Sequence, residues 1–280
     1  MKGLKKVAKL SIRYIFLILL GYLMIYPLLW MFFAAFKSNA EIFGTTNLLP
    51  KSFSLNAFIL GWKSIGQYTF TTYFINTFEL VVPVVLFTAL SSVIIAYGFA
   101  RFNFTGKRFL FMLMIATIML PNSVLIIPRY LLFRDFHWLN TYLPFIVPSM
   151  FGGAFFIFLM IQFMRGIPKD LDEAACIDGC GPGRILFLII VPLCKPAIIS
   201  VVVFQFLWTW TDFFNPLVYI TSVSKYTLSL ALKMAIDSQS QIAWNQAMAM
   251  SLLSIIPCII LFFAVQKYFI EGVATSGIKG

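Results

Sequence analysis

Pro168-Lys169-Asp170-Leu171-Asp172-Glu173-Ala174-Ala175-Cys176-Ile177-Asp178-Gly179-Cys180-Gly181-Pro182-Gly183-Arg184 is a polar, punctuated stretch that runs on through an apolar segment to Pro192 and Pro196. It holds four of the ten acidic residues: Asp170, Asp172, Glu173 and Asp178. On either side the charges disappear. None lies between Asp135 and Arg165, and Asp212 is the one charge between Lys195 and Lys225. Each flanking run exceeds the roughly 20 apolar residues that cross a bilayer. The stretch is therefore a connection outside the lipid, where a soluble partner would attach.

The same reading extends outward. Charge-free runs also span Arg13 to Lys37, Glu79 to Arg101, Arg108 to Arg129, and Asp237 to Lys267. Lipid offers a bare backbone no hydrogen bonds, so such runs must be helices; a transmembrane barrel would alternate in short segments. The expected fold is an all-α membrane protein of six transmembrane helices, near 14–36, 73–99, 109–131, 141–164, 196–221 and 244–267. Residues 37–72 form an external loop, 165–195 a cytoplasmic loop, and 1–280 a single transmembrane domain. The composition agrees: 61% hydrophobic and 11% charged, against about 25% charged in soluble domains. The basic N-terminus before an apolar run imitates a secretory signal, but the run exceeds a 7–15-residue signal core and reads as an uncleaved first span.

Basic residues orient the chain. Lys2, Lys5, Lys6, Lys9, Arg13, Arg101, Lys107, Arg108, Arg165, Lys169, Arg184, Lys195, Lys267 and Lys279 fall on one side. Half as many fall on the other: Lys37, Lys51, Lys63, Arg129, Arg134, Lys225 and Lys233. The bias places both termini and the polar stretch in the cytoplasm, the side of ATP. A net charge of +11 on a soluble protein would raise nucleic-acid binding; in short membrane loops it marks orientation, and no nucleic-acid partner is expected.

Enzyme constellations are absent. There is one histidine, His137, and no GxSxG. The phosphate-cradling GxxxxGK[ST] loop is missing too, so any ATP that powers the chain is bound elsewhere. Cys176, Cys180, Cys194 and Cys258 form no CxxC pair, and zinc sites need about four nitrogen or sulfur ligands, so no metal is expected.

Two acids sit in or near spans. Asp212, in Trp208-Thr209-Trp210-Thr211-Asp212-Phe213-Phe214-Asn215-Pro216, reads either as a polar spot on a solute pathway or as a structural acid hydrogen-bonded near Asn215. Glu79, with Asn76 and Thr77, reads either as a pathway residue or as an acid near a helix N-terminus at the outer surface. Trp208 and Trp210 are candidate sugar-stacking faces, although aromatic residues also anchor interfaces. Pro27, Pro83, Pro121, Pro128, Pro144, Pro148, Pro216 and Pro257 lie in or at the ends of spans, which suits a bundle that rearranges and also suits the general tolerance of membrane helices for proline.

The polar stretch itself predicts a short helix. Pro168 suits the first helical position, the acids follow at the positive end of the dipole, and Ala174 and Ala175 offer a bare flank for docking. Asp178-Gly179 supplies the stop. The apolar Arg184–Val191 segment then lies along the membrane before the fifth span.

Glu173-Ala174-Ala175, with Asp178-Gly179 and then Ile190, Pro192 and Pro196, resembles the EAA loop of ATP-binding-cassette (ABC) importer permeases. Over most of residues 70–280 the chain resembles the carbohydrate-uptake branch, related to the smaller membrane subunit of maltose-type importers. The matching residues are Asn76-Thr77, Ala96-Tyr97-Gly98-Phe99-Ala100-Arg101, Pro121 to Pro128, Trp210-x-Asp212-x-x-x-Pro216-Leu217 and the tail Gln266-Lys267-Tyr268-Phe269 to Gly277-x-Lys279-Gly280.

The resemblance implies a multi-pass subunit of a bacterial-type plasma membrane. It pairs with a second homologous permease subunit around the pathway. A dimer of ABC ATPase subunits binds ATP and magnesium below, and an external solute-binding protein delivers a sugar or sugar-like solute. The coupling contact falls on Asp172, Glu173, Ala174, Ala175, Asp178 and Gly179, and the tail, with Lys279 and Gly280, reaches between the ATPases. Glu79, Trp208, Trp210, Asp212 and Asn215 are the candidate pathway residues. The alternative is a stand-alone proton- or sodium-driven sugar carrier, in which Asp212 and Glu79 would couple the ion.

Overall fold

The computed structural model describes residues 2–63, 67–237 and 243–276. Every regular element among them is a helix, and these divide into two compact units. Among the described residues four helices are long and apolar enough to cross a membrane, or up to six if each of two bent pairs counts as one span.

The first unit comprises residues 1–71 and 231–256. Its opening helix α1 (Lys2–Ala34) has a membrane-length window with no fully buried residue. Residues 38–63 form two short helices, α2 (Asn39–Gly44) and α3 (Asn56–Lys63). Ser38 caps α2 by accepting the Glu41 N–H at 3.2 Å, and the Glu41 carboxylate accepts the Lys51 N–H at 2.7 Å. Lys37 is buried, and its ammonium is satisfied by the Asn47 carbonyl. Asn245 ties this region to the start of the last helix: its side-chain amide donates to the Lys37 carbonyl at 3.1 Å and its backbone N–H to Asn39 Oδ1 at 3.0 Å.

The second unit comprises residues 72–230 and 257–280. The helix α4 (Phe70–Arg101) supplies its buried spine; Pro83 removes one backbone donor without ending the helix. Three expected spans are not single helices. The 109–131 stretch is α5 (Lys107–Ile118) and α6 (Asn122–Asp135), meeting at 104°. Pro121 causes the break, since it has no N–H to give and disfavours helical backbone at Leu120. The 196–221 stretch is α11 (Lys195–Thr211) and α12 (Phe214–Tyr219), interrupted at Asp212–Phe213. The 141–164 stretch is likewise made of α7 (Leu143–Ser149) and α8 (Ala154–Arg165). Between them Gly152 has φ +79°, and a Cβ there would meet Ile157 Cδ1 at 3.0 Å and Ile95 Cδ1 at 3.2 Å. Only glycine fits that left-handed, crowded position.

The polar loop holds α9 (Asp170–Ile177) and α10 (Pro182–Leu193), the latter bent 77° against α11. The helix α13 (Leu228–Asp237) was not expected from the sequence, and α14 (Trp244–Ser276) runs beyond the expected end of the last span. The core of the second unit lies at one end of it. Val93, Ala96, Tyr97 and Ala100 of α4 meet Met160, Ile161 and Met164 of α8, and Ala175, Ile185 and Ile190 of the polar loop close the cluster. Lipid is as apolar as these side chains, so close packing rather than water exclusion holds the lipid-depth part of this cluster together.

Candidate functional site

The α9 helix is a built element, not a slack connector. Asp170, Asp172 and Glu173 occupy its first turn, where the helix dipole favours negative charge. It begins after Lys169, two residues later than Pro168 would start it. It ends in a glycine motif: the Gly179 N–H bonds the Cys176 carbonyl at 3.0 Å and the Cys180 N–H bonds the Ala175 carbonyl at 2.9 Å. Gly179 stands at φ +80°, the left-handed conformation this motif requires.

Two faces of α9 do different things. Asp172 and Ala175 turn inward. The Asp172 carboxylate lies 2.7 Å from Arg101 Nε, and both side chains are largely buried, with 17% and 6% exposure. The Arg101 Nη1 and Nη2 groups both donate to the Ile167 carbonyl at 3.1 Å. One turn earlier on α4, the Tyr97 hydroxyl donates to the Pro182 carbonyl at 3.3 Å. Residues 97 and 101 share a helix face at i, i+4. Together they grip the chain just before, within and just after α9. Ala175 packs into the core, so its small size serves this chain's own packing. The outward face carries Glu173, Ala174 and Ile177, with Asp178 and Gly179 beyond; Ile177 is 87% exposed.

Beyond α9 the chain re-enters the core. Gly181 opens α10 with Pro182 at its first position, where a missing N–H costs nothing. Ile185, Leu186, Ile190 and Cys194 are buried, while Phe187, Leu188 and Leu193 are exposed. A π-helical turn over Leu186–Ile190 precedes Pro192 and absorbs the donor that proline lacks. A shift of α9 would thus reach α11 through a packed helix and a 77° corner.

The comparisons with known proteins bear on this arrangement. Residues 90–275 match the family described as "Binding-protein-dependent transport system inner membrane component". The chain belongs to this family. It is 31% identical over 264 residues to an arabinooligosaccharides transport system permease protein of Halalkalibacterium halodurans, covering 93% of each chain. It is 29% identical over 261 residues to a diacetylchitobiose uptake system permease protein of Streptomyces coelicolor, covering 92% of this chain and 85% of that one. Its fold is that of a chain in a bacterial ABC transporter involved in the import of the acidic polysaccharide alginate, with a TM-score of 0.83 and 24% identity over 92% of this chain and 95% of that one.

In this permease the residues picked out as pathway candidates do not gather in one place. Trp208 and Asn215 line an open cavity of about 1110 Å³, with Gln205 and Tyr219 among its other walls. Trp208 is 51% exposed and leans on Phe155 and Phe156 at 5.4 and 5.0 Å between ring centroids. Trp210 is 4% exposed and does not line that cavity. It stacks on Phe206 at 5.2 Å and takes edge contacts from Phe74 and Phe78 at 5.8 and 5.0 Å. Asp212 holds the helix break together. Its carboxylate accepts the Asn215 backbone N–H at 3.1 Å and the Asn215 amide at 2.6 Å, and its carbonyl accepts the Ser229 hydroxyl at 2.6 Å. Glu79 is exposed on α4 and does not line the cavity. Lys279 and Gly280 lie outside the described residues. Among the described residues no group of three His, Cys, Asp or Glu side chains comes together.

Some residues matter more than the sequence reading gave them. The Asn76 amide donates to the Ser224 and Tyr226 carbonyls at 2.8 and 3.0 Å, and Thr77 Oγ1 accepts the Leu228 N–H at 2.8 Å. Asn140, at φ +59°, accepts the Ser222 N–H at 2.9 Å and donates to its hydroxyl at 2.8 Å. Asn76 and Thr77 stood in a recognisable motif; Asn140 gave no signal, because its partners lie about eighty residues away in sequence.

Proposed function

We propose that this permease forms half of the translocation pathway of an ATP-driven, binding-protein-dependent importer of sugars or short oligosaccharides, in a bacterial-type plasma membrane. Its outward-facing α9 edge docks on one ATPase subunit, and both termini and α9 lie in the cytoplasm. Membership of the family supports the transport role. The relatives named for arabinooligosaccharides and diacetylchitobiose, both short sugar oligomers, support the substrate class. The basic bias of the connections supports the orientation.

The observation that carries the coupling role is the contrast between the two faces of α9. One face is fixed into the core through Asp172 and Ala175, and the other leaves an isoleucine 87% exposed beside an acidic residue on a helix end. A large apolar side chain held out of both lipid and core, on a rigid element, is what a hydrophobic cleft on a partner would take up. The ATPase dimer binds ATP and magnesium, a second homologous permease subunit completes the pathway, and an external binding protein delivers the solute. Closing of the ATPase dimer moves α9, and α10 carries that movement to α11.

The test replaces Ile177 with aspartate in the assembled transporter and follows two quantities, ATPase subunits retained on purification and uptake of a labelled oligosaccharide. Loss of both with normal membrane insertion supports the reading. Uptake by vesicles holding this chain alone, driven by an ion gradient, would overturn it in favour of a stand-alone carrier.

A further inference from the structure

We propose that a basic, phenylalanine-walled cavity where α4 and α8 end and α5 begins holds the phosphate of an anionic phospholipid. Its assignment to the cytoplasmic leaflet rests on the orientation proposed above. The cavity has a volume of about 510 Å³. Lys107, Arg108 and Arg165 supply three cations to its lining, and no carboxylate lines it. The ion pairs formed elsewhere in the described residues, Arg101–Asp172 and Arg134–Asp135, use other arginines. Lys107 Nζ donates to the Phe102 carbonyl at 2.7 Å, which fixes its stem at the rim. The Arg165 guanidinium sits 5.5 Å from the centre of the Phe111 ring. That cation–π contact holds the charge at the cavity wall, within reach of a bound anion.

The remaining walls explain why the anion is a lipid. Phe99, Phe104, Phe109 and Phe111 line the same cavity, and Phe109 is 59% exposed. A soluble phosphate needs cations and has no use for four aromatic faces. A phospholipid needs both, a cationic cradle for the headgroup and an apolar wall for the glycerol and upper acyl chain. Gly106 starts α5 with no side-chain cap; the Lys107 N–H is taken by the Phe104 carbonyl at 3.2 Å, and the positive end of the helix dipole lies at the same spot. Arg108 and Arg165 are exposed, as in any basic cluster that marks orientation; the phenylalanine walls beside them are what set this one apart.

The transporter, purified whole in mild detergent, is exposed to equal mole fractions of phosphatidylglycerol and phosphatidylcholine, and retained lipid is counted by native mass spectrometry. The wild-type complex is expected to prefer phosphatidylglycerol. Arg108→Gln with Arg165→Gln is expected to cut that preference by about thirtyfold, two cationic contacts' worth. Arg108→Gln alone, at an exposed site, is expected to cut it by about fivefold and covers the case in which the double variant does not fold. Arg129→Gln with Arg134→Gln, remote from the cavity, should leave it intact. An unchanged preference in the first two variants overturns the proposal. So does full displacement of the lipid by millimolar inorganic phosphate, which would mark a bare anion site, or loss of ATPase subunits with lipid retention unchanged, which would mark a protein contact. Labelling of Cys176 by a membrane-impermeant thiol reagent, in inside-out against right-side-out vesicles, reads orientation separately. Labelling from the right-side-out face would overturn the leaflet assignment and the orientation, while phosphatidylglycerol retention scores the cavity itself.

Discussion

Arg101 on the last turn of α4 and Asp172 on the first turn of α9 form an ion pair of 2.7 Å, largely shut away from solvent. The contact is close but not a well-aligned hydrogen bond: Arg101 Nε and Asp172 Oδ1 have no hydrogen-bond partner, and the aligned bonds of the guanidinium go to the Ile167 carbonyl. Its strength is therefore mainly Coulombic, and its use is to fix where α9 stands. Removing one partner of such a pair strands the other charge, at about 3–5 kcal/mol.

Arg101→Leu is thus expected to lower stability by about 3 kcal/mol, the low end because Asp172 keeps some solvent contact. Arg101→Lys keeps the charge but loses the planar fork that spans Asp172 and Ile167. It should stay folded while uptake falls and ATP hydrolysis continues. Thermal unfolding of the purified transporter beside uptake and hydrolysis rates checks both. A lysine variant that transports normally would show that the fork has no part in placing α9.

Gly179 separates backbone demand from partner demand. A Cβ there meets nothing within 4 Å in this chain, yet φ is +80°. Gly179→Asn, which tolerates left-handed backbone, is expected to fold and insert, with a strain below the 1–2 kcal/mol typical of other residues. Gly179→Trp adds bulk on the exposed side, where the proposed ATPase contact would fall. We expect it to insert and to lose uptake far beyond the asparagine variant; undiminished uptake with Gly179→Trp would falsify the docking contact.

Much of this layout was legible in the sequence because each part of it rests on local physics. Charge-free runs mark helices, Gly179 marks the end of α9, and the acids of α9 mark its beginning. What was illegible depends on distant partners. The inward turn of Asp172 follows from Arg101, seventy-one residues away in sequence. Ala174 and Ala175 look alike in the sequence, but the helix sends one outward and the other into the core. The 109–131 and 196–221 runs look continuous because hydropathy cannot tell a straight span from one broken at Pro121 or Asp212.

Trp208 and Trp210 lie two residues apart and face different surroundings, so their variants should behave differently. Trp210→Ala empties a site packed by Phe74, Phe78 and Phe206 and is expected to cost about 3–5 kcal/mol, seen as lost folded protein. Trp208→Ala removes an exposed face of the large cavity and should leave the unfolding midpoint nearly unchanged while altering uptake. Equal losses of folded protein in both would assign Trp208 to packing alone.

Asp212 is argued from the break it closes. Its two carboxylate oxygens hold the Asn215 backbone and side chain, and they reconnect α11 to α12 where the helical ladder is cut. Asp212→Asn keeps one carbonyl-type acceptor for the Asn215 N–H and turns the other oxygen into a donor facing the Asn215 amide. The lost bond and the new donor–donor clash together predict a stability loss of about 1–3 kcal/mol. Asp212→Ala removes both bonds and should lose more. Assembly and uptake are expected to fall in parallel across the two variants, because the carboxylate acts by holding the break. Measuring membrane-inserted complex by quantitative immunoblot against initial uptake rate decides the point. If Asp212→Asn assembles at wild-type levels and transports poorly, the carboxylate faces the solute, and the charge itself is what the pathway uses.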